Sequence, residues 1–268
     1  MSRSKNSWLI PVVLAAGIAI ALLFFWPMLG APPPEPVSVE SEAATTDEPR
    51  RPGPLHPIEP LAPPRDGDRP LVPLPPLDDS DAYFHLELVD IFGGRLEELL
   101  TNEALIEKFV ATVDNLPRSH VAERIRPVGR LSDNFAVERG AGPDAYLLST
   151  ANFDRYRLLV DAIVVADIDS IVDAYRRYYP LFQEAYVGLG YPEGYFNDRV
   201  VEVIDHLLAT PEPDGAVILV RPHVLYEFAD PQLEALSSGQ KLLLRMGNEN
   251  AARAKRSLAE LRERIAIP

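Results

Sequence analysis

The chain has 268 residues, with 26 basic and 40 acidic side chains and a formal charge of −14. Because nucleic-acid affinity depends mainly on neutralising phosphates, this charge argues against DNA or RNA as a partner. The absence of cysteine excludes disulfides, thiolate nucleophiles and cysteine-bound metals. The length allows one large domain or two small ones.

An uncharged, mostly apolar run, residues 8–29, follows the short N-terminus of residues 1–7. At about 1.5 Å per residue this run is long enough to cross a hydrocarbon core of about 30 Å. Arg3 and Lys5 precede it, whereas no basic residue follows it until Arg50. This asymmetry predicts a single-pass anchor in a bacterial inner membrane, with a cytoplasmic N-terminus and everything downstream in the periplasm.

A cleaved signal peptide is the alternative, because it too has a positive start and an apolar middle. Its apolar region is normally about 7–15 residues long, which is shorter than this one. The best small-residue site, residues 29–31, is followed directly by prolines, a poor context for cleavage. The sequence therefore favours an uncleaved transmembrane helix that contacts the lipid bilayer through residues 8–29.

A proline-rich stretch, residues 30–77, contains 15 of the 27 prolines. Proline removes backbone donors and favours the extended polyproline II conformation, so we expect a disordered linker that acts as a spacer. Fully extended, it would reach on the order of 150 Å. Pro60–Pro63 fits the loose P-x-x-P pattern of ligands for proline-recognition domains. Because such matches arise easily in a proline-dense segment, the spacer interpretation is favoured.

Helical periodicity dominates residues 78–268, which predicts one mainly α domain that folds alone and is exported. We expect helices to begin after Ser80, at Asn102, near Asn152, at Asp167, around Phe196, at Ser237 and at Asn248. Pro180 is expected to kink or split the fourth of these helices. The helical faces place in the core Phe109, Tyr175, Phe182, Leu189, Ile204 and Leu258.

Extended signals are few and short in this domain. They lie at residues 135–139, 146–148, 216–220 and 225–228. These runs predict one or two small β-hairpins, or edge strands, attached to the helical body. The predicted fold class is therefore mainly α: a transmembrane helix, a proline-rich linker, and a helical globular domain.

Several short phrases are distinctive: Val113–Arg118, Asn152, Arg155–Tyr156, Tyr179–Leu181, Leu189–Pro192, Phe196–Arg199, Phe228–Pro231 and Gly239–Gly247. On these phrases, the chain from Leu77 to the end resembles an uncharacterised bacterial family known only as a membrane-anchored domain of unknown function. The resemblance implies a location in the envelope of a Gram-negative-type bacterium. It supplies no activity and no catalytic residues.

No metal site and no cofactor is predicted. The five histidines form neither an H-E-x-x-H motif nor an i,i+4 pair, and there is no phosphate-binding G-x-x-x-x-G-K-[ST] loop. Acidic residues are abundant enough to keep one enzyme hypothesis open. Glu184 and Glu202 lie beside an aromatic-rich segment and are the candidate carboxylate pair of a cell-wall hydrolase.

The aromatic-rich segment, residues 175–196, holds eight of the chain's 22 aromatic residues. Tyr191 and Tyr195 flank a Pro-Glu-Gly turn, and loops commonly carry recognition residues. An exposed tyrosine suits a sugar face or a protein hot spot, because its ring packs while its hydroxyl bonds. The predicted binding residues are Tyr191, Tyr195, Asp198, Arg199, Arg155 and Tyr156.

These observations favour a binding or scaffolding module over an enzyme, with an envelope protein or cell-wall glycan as its partner. Two interpretations of the candidate residues stay open. Asp198 and Arg199, with Arg155 and Tyr156, are more simply internal ion pairs and hydrogen bonds. The tyrosines of the aromatic-rich segment are equally well explained if they only seal the junctions between helices.

Overall fold

The helices of the computed structural model, which describes residues 53–59, 72–129, 134–142 and 144–267, follow the predicted order. They are α1 Asp81–Ile91, α2 Leu105–Asn115, α3 Ala151–Val165, α4 Ile168–Gly188, α5 Phe196–Leu208, α6 Pro231–Glu234, α7 Ser238–Arg245 and α8 Asn248–Ile265. Every predicted helix is present, and the short α6 was not predicted. The mainly helical fold class is confirmed.

Local chemistry explains several of the helix boundaries. The side chain of Asp167 accepts the backbone N–H of Ser170 at 2.9 Å and so caps α4. A reciprocal capping box between Ser237 and Gln240 begins α7. Gly93 follows α1 with a positive φ of 59°, a conformation that glycine adopts without steric cost.

The start of α2 differs from the prediction, because Asn102 does not cap it. The carboxylate of Asp81, on α1, accepts the backbone N–H groups of Ala104 and Leu105 at 2.8 and 2.7 Å. Ala104 itself has a positive φ of 49°. A contact between two helices therefore replaces the expected local cap.

Pro180 does not split α4, which runs without interruption from Ile168 to Gly188. The proline is exposed and removes only its own backbone donor from the helical ladder. The packing of the long helix on both sides of Pro180 maintains its continuity: Tyr178 precedes the proline, Phe182 follows it, and both are buried.

An aromatic cluster forms the centre of the main core. The ring of Phe182 lies 5.3–5.9 Å, centroid to centroid, from the rings of Phe84, Phe109, Tyr175 and Phe196. These residues come from α1, α2, α4 and the first position of α5. The cluster therefore joins four helices that are distant in sequence.

The predicted core residues are mostly confirmed. Phe182 and Ile204 are buried, and Phe109, Tyr175 and Leu258 pack against the same core while remaining partly exposed. The prediction for Leu189 was wrong, because 42% of this residue is exposed. It is the C-cap of α4 and keeps helical backbone angles, so it continues the face of Phe182, but at this end of the helix that face is exposed.

The extended segments form one four-stranded antiparallel sheet in the order β1-β2-β3-β4. The strands are β1 Val137–Arg139, β2 Ala145–Leu148, β3 Ile218–Val220 and β4 Glu227–Phe228. The two predicted hairpins are thus joined through β2 and β3, where Tyr146 is opposite Leu219. One face of the sheet packs Leu219 and Phe228 against Leu244 of α7.

The predicted linker, residues 30–77, is described at residues 53–59 and 72–77. In that part the structure differs from a free spacer, because the backbone of residues 55 and 56 is hydrogen-bonded to α5. The described residues belong to one compact unit, residues 51–268, which begins before the predicted boundary at residue 78.

The predicted anchor, residues 8–29, and the N-terminus of residues 1–7 lie outside the described residues. Among the described residues, no helix has both the length and the apolar composition needed to span a membrane. The transmembrane helix therefore stays a prediction.

Candidate functional site

A buried carboxylate connects the last turn of α2 to α5. Nε of Arg199 donates to Oδ1 of Asp114 at 3.0 Å, and Nη2 of Arg199 donates to the backbone oxygen of Asp114 at 2.8 Å. On the other side of the carboxylate, Oδ2 accepts from Nη2 of Arg118 at 2.9 Å and from the hydroxyl of Tyr191 at 3.3 Å. Two predicted binding residues, Tyr191 and Arg199, thus meet at a carboxylate that was not predicted.

The side chain of Tyr191 is fixed at both ends. Its ring stacks on the buried ring of Tyr186, with centroids 4.7 Å apart and planes inclined by 21°. Its hydroxyl also accepts a hydrogen bond from Nη2 of Arg118 at 3.0 Å. Burial, with a smaller contribution from the Asp114 carboxylate, raises the pKa of Tyr186, so that ring stays neutral beneath Tyr191.

Exposed apolar residues precede and follow Tyr191 in the sequence at the C-terminal end of α4. Val187 is 41% exposed and Leu189 is 42% exposed, and Pro192 follows Tyr191 in an exposed turn. These four residues, Val187, Leu189, Tyr191 and Pro192, are termed the α4-end surface below. The α4-end surface thus combines aromatic and aliphatic groups with the hydrogen-bonded network around Asp114.

Asp198 binds the backbone of the predicted linker, and within the part of the chain that the structure describes it has no ion-pair partner. Its Oδ2 accepts the backbone N–H of Leu55 at 3.0 Å, and its Oδ1 accepts the backbone N–H of His56 at 2.8 Å. Nδ2 of Asn197, the preceding residue, donates to the backbone oxygen of His56 at 2.8 Å. Asn197 and Asp198, both in the first turn of α5, are termed the linker clamp below.

Asn197 is fully buried, and both polar atoms of its side-chain amide have hydrogen-bond partners. Besides His56, its Nδ2 donates to the backbone oxygen of Ile265 at 2.9 Å, and its Oδ1 accepts from the hydroxyl of Tyr175 at 3.0 Å. Burial, then the neighbouring Tyr179 and the Asp198 carboxylate, raise the pKa of Tyr175 well above its usual value. Tyr175 therefore keeps its proton and remains a donor to Asn197.

A family model described as "Protein of unknown function (DUF3014)" matches residues 105–262, which is more than half of the chain. The chain belongs to the DUF3014 family. This confirms the resemblance to a family known only as a domain of unknown function. The comparisons with curated proteins and with solved structures found no match.

The DUF3014 match contains both features of the site. It begins at the first residue of α2, ends within α8, and includes the Asp114 network and the linker clamp. Residues 53–59, which occupy the clamp, lie outside the match. Three of the distinctive short phrases therefore contain the residues of this site: Val113–Arg118, Leu189–Pro192 and Phe196–Arg199. None of these phrases indicated which residues would pair.

Arg155 and Tyr156 occupy another part of the DUF3014 domain. The ring of Tyr156 is buried among residues of α5, α7 and α8, including Val203 and Met246. The guanidinium carbon of Arg155 lies 5.6 Å from the centroid of that ring, and its Nε is buried without a hydrogen-bond partner among the described residues. Neither residue contributes a hydrogen bond to the Asp114 network or to the clamp.

The aromatic-rich segment is mostly core. Tyr178 and Tyr186 are buried, whereas Tyr179, Tyr191 and Tyr195 are half-buried. Tyr195 immediately precedes α5 and makes no side-chain cap there. Tyr178 and Tyr186 thus agree with the interpretation that tyrosines seal the junctions between helices. Tyr191, by contrast, is part of the α4-end surface.

The carboxylates of the hydrolase hypothesis lie on two different helices of the DUF3014 domain. Glu184 is exposed on α4. Glu202 is exposed on α5 and accepts from Nη1 of Arg199 at 2.7 Å, so it is already paired. Within the described ranges, no three histidine, aspartate or glutamate side chains are arranged to hold a metal ion.

A cleft of about 550 Å³ lies elsewhere, between β2, the start of α3 and the start of α8. Its polar lining is engaged in internal bonds: Arg253 pairs with Asp161 at 2.6 Å, and Nδ2 of Asn250 donates to the backbone oxygen of Phe153 at 2.9 Å. None of the predicted binding residues lines this cleft. Sequence reasoning found no signal for it.

Proposed function

We propose that this DUF3014 protein is a binding or scaffolding module of the cell envelope. Residues 8–29 anchor it in the bacterial inner membrane, and the folded domain binds an envelope protein in the periplasm. The observation that carries the proposal is the α4-end surface: Val187 and Leu189 are exposed, and they closely precede Tyr191, whose ring is stacked on Tyr186.

The chemistry of this surface favours a protein partner over cell-wall glycan. A tyrosine that binds sugar uses its hydroxyl as well as its ring, but the Tyr191 hydroxyl is already bonded to Asp114 and Arg118. Val187 and Leu189 offer aliphatic area, which gains free energy when a protein partner removes it from water. Exposed apolar groups rimmed by polar residues are typical of protein interaction sites.

The internal bonds of the site also suit binding better than catalysis. The charged groups bonded to the Tyr191 hydroxyl are Asp114 and Arg118, and Asp114 is also paired with Arg199 of α5. Such a network fixes the surface before the partner arrives. Less conformational entropy is then lost on association, which strengthens binding.

Photo-crosslinking in living cells tests the partner. The full-length chain carries benzoylphenylalanine in place of Leu189, and we expect a covalent adduct with a protein. Val187→Asp introduces a charge into the apolar contact, so it should reduce this adduct about tenfold, the effect of roughly 1.4 kcal/mol. Immunoblotting and mass spectrometry measure the adduct.

Leu158 on α3 provides the matched control, because it is 49% exposed and lies outside the α4-end surface. A crosslinker at Leu158 should not capture the same protein. An equal adduct at Leu158, or one at Leu189 that Val187→Asp leaves unchanged, would contradict the proposed surface. Turnover of a wall fragment that Glu184→Gln or Glu202→Gln abolishes would support the hydrolase instead.

Reporter fusions test the proposed location. Alkaline phosphatase fused after residue 77 should be active, because it requires an oxidising compartment, and residues beyond the anchor are proposed to be periplasmic. A fluorescent protein that matures only in the cytoplasm should stay dark at the same position. Fluorescence without phosphatase activity would mean that the orientation is wrong.

A further inference from the structure

The linker clamp recognises backbone and not side chains. One carboxylate, that of Asp198, accepts two consecutive N–H groups, those of Leu55 and His56, and Asn197 donates to the carbonyl of His56. The side chain of Leu55 contributes little, because this residue is 75% exposed. Any extended segment with two adjacent N–H groups in the same place could make the same three bonds.

Prolines define the length of the bound segment. Pro54 and Pro57 have no N–H, so Leu55 and His56 supply the only two donors between them. A residue that precedes proline is also biased towards an extended backbone, which applies to His56. The clamp therefore holds a single Pro-x-x-Pro unit with both of its donors engaged.

The same unit recurs in the linker. Prolines stand at every third position, 54, 57, 60 and 63, which is the three-residue repeat of polyproline II. Pro60–Pro63 reads Pro-Leu-Ala-Pro, so it matches Pro54–Pro57 except that Ala62 replaces His56. Nδ1 of His56 is buried without a hydrogen-bond partner among the described residues, so alanine in that place loses no hydrogen bond.

We propose that the linker clamp is a peptide-binding site for extended Pro-x-x-Pro units of this chain's own linker. Pro54–Pro57 is the bound occupant, and Pro60–Pro63 is an alternative occupant of the same site. The unit between them, Pro57–Pro60, is a poor ligand, because it would place the carboxylate of Glu59 where His56 now lies, beside Asp198.

The anchoring of the following linker residues makes this exchange sterically feasible. Arg176 of α4 pairs with Glu59 at 3.9 Å, and the adjacent Arg177 donates to the backbone oxygen of Val72 at 3.2 Å. Glu59 and Val72 thus lie beside neighbouring positions of one helix. After exchange, residues 64–71 would still span up to about 26 Å, at about 3.3 Å per residue.

Residue-resolved amide hydrogen exchange on the full-length chain in detergent micelles tests the two occupants. Leu55→Pro removes one of the donors to Asp198, whereas Leu55→Ala is the matched control that keeps it. Both the unsubstituted chain and Leu55→Ala should protect His56. In Leu55→Pro, we expect about tenfold faster exchange at His56 and about tenfold slower exchange at Leu61 and Ala62.

Binding in trans provides an independent measurement. Units with two adjacent N–H groups also stand at Pro49–Pro52 and Pro70–Pro73. The full-length chain with Arg51→Pro, Leu55→Pro, Leu61→Pro and Leu71→Pro keeps none of these four units, so it should bind a fluorescent peptide with the sequence of residues 53–59. Adding Asp198→Asn should abolish binding, because the amide accepts only one of the two N–H groups. Adding Asp173→Asn, the same substitution at an exposed site on α4, should leave binding unchanged.

Two results would overturn the proposal, provided that circular dichroism shows the variants to be folded. One is unchanged exchange at Leu61 and Ala62 in Leu55→Pro, and the other is the absence of peptide binding to the fourfold proline variant. If Leu55→Pro does not fold, Asp198→Asn in the otherwise unsubstituted chain replaces it. Unchanged exchange at Leu55 and His56 in that variant would equally overturn the site.

Discussion

Asp114→Ala is expected to lower the free energy of unfolding by about 3–5 kcal/mol. The carboxylate is buried and accepts from Arg199, whose guanidinium is itself largely buried. Without it, Arg199 loses its buried counter-charge and keeps only the exposed Glu202, so the cost of its desolvation is offset less. The hydroxyl of Tyr191 also loses its acceptor. Urea unfolding followed by circular dichroism measures the change.

Arg118→Ala is the control for this substitution, because Arg118 donates to the same carboxylate from a side chain that is 54% exposed. An exposed ion pair contributes little, so we expect a loss of about 1 kcal/mol or less. Equal losses for the two variants would mean that burial does not decide the strength of this network. A loss below about 1 kcal/mol for Asp114→Ala would contradict the prediction.

Phe182→Ala should cost about 3–5 kcal/mol, because it removes the ring at the centre of the aromatic cluster. Four other rings contact Phe182, and they come from different helices, so the cavity cannot collapse by moving one element. Thermal and urea unfolding of the full-length chain in detergent provide the measurement. The urea concentration at the unfolding midpoint should fall, while the dependence of the unfolding free energy on urea concentration stays constant.

Val187→Ala is the matched control for Phe182→Ala, since it truncates an apolar side chain of the same helix at an exposed position. Surface substitutions of this kind usually change stability by about 0.5 kcal/mol or less. A loss at position 182 as small as that at position 187 would show that the cluster is not the centre of the core.

Helices could be predicted from the sequence because their signals are local. The apolar spacing and the N-terminal caps lie within one element, so the positions of α4 and α7 follow from Asp167 and Ser237 directly. The same reasoning failed for Leu189, which keeps helical backbone angles at the C-cap of α4 but is exposed there. Periodicity shows which residues share a helix face, but it does not show how far along the helix that face is covered.

Contacts between distant segments could not be predicted. Asp81 caps a helix that begins 24 residues later, and Asp114 pairs with an arginine 85 residues away. Asn197 and Asp198 meet the linker across more than 140 residues. Periodicity carries no information about such pairings, because it does not specify which helix faces meet.

In the candidate site too, some of the residues could be predicted from the sequence, but their pairings could not. Tyr191 and Arg199 were singled out because the residue types suggested recognition, and the structure brings them together at Asp114. Tyr156 was singled out in the same way, from a distinctive short phrase of the sequence. Its ring, however, belongs to a different hydrophobic cluster, away from Asp114. The hydrogen-bonding role of a residue depends on its three-dimensional neighbours, which the phrases do not contain.

The position of the linker clamp determines where mechanical load enters the domain. Tension applied through the N-terminal part of the chain reaches the described fold first at Leu55 and His56, whose bonds run to the first turn of α5. That turn also leads to Arg199 and, through Asp114, to α2. A pulling force is therefore shared between two core helices before it reaches α1, so the N-terminal helix is shielded from being peeled off first.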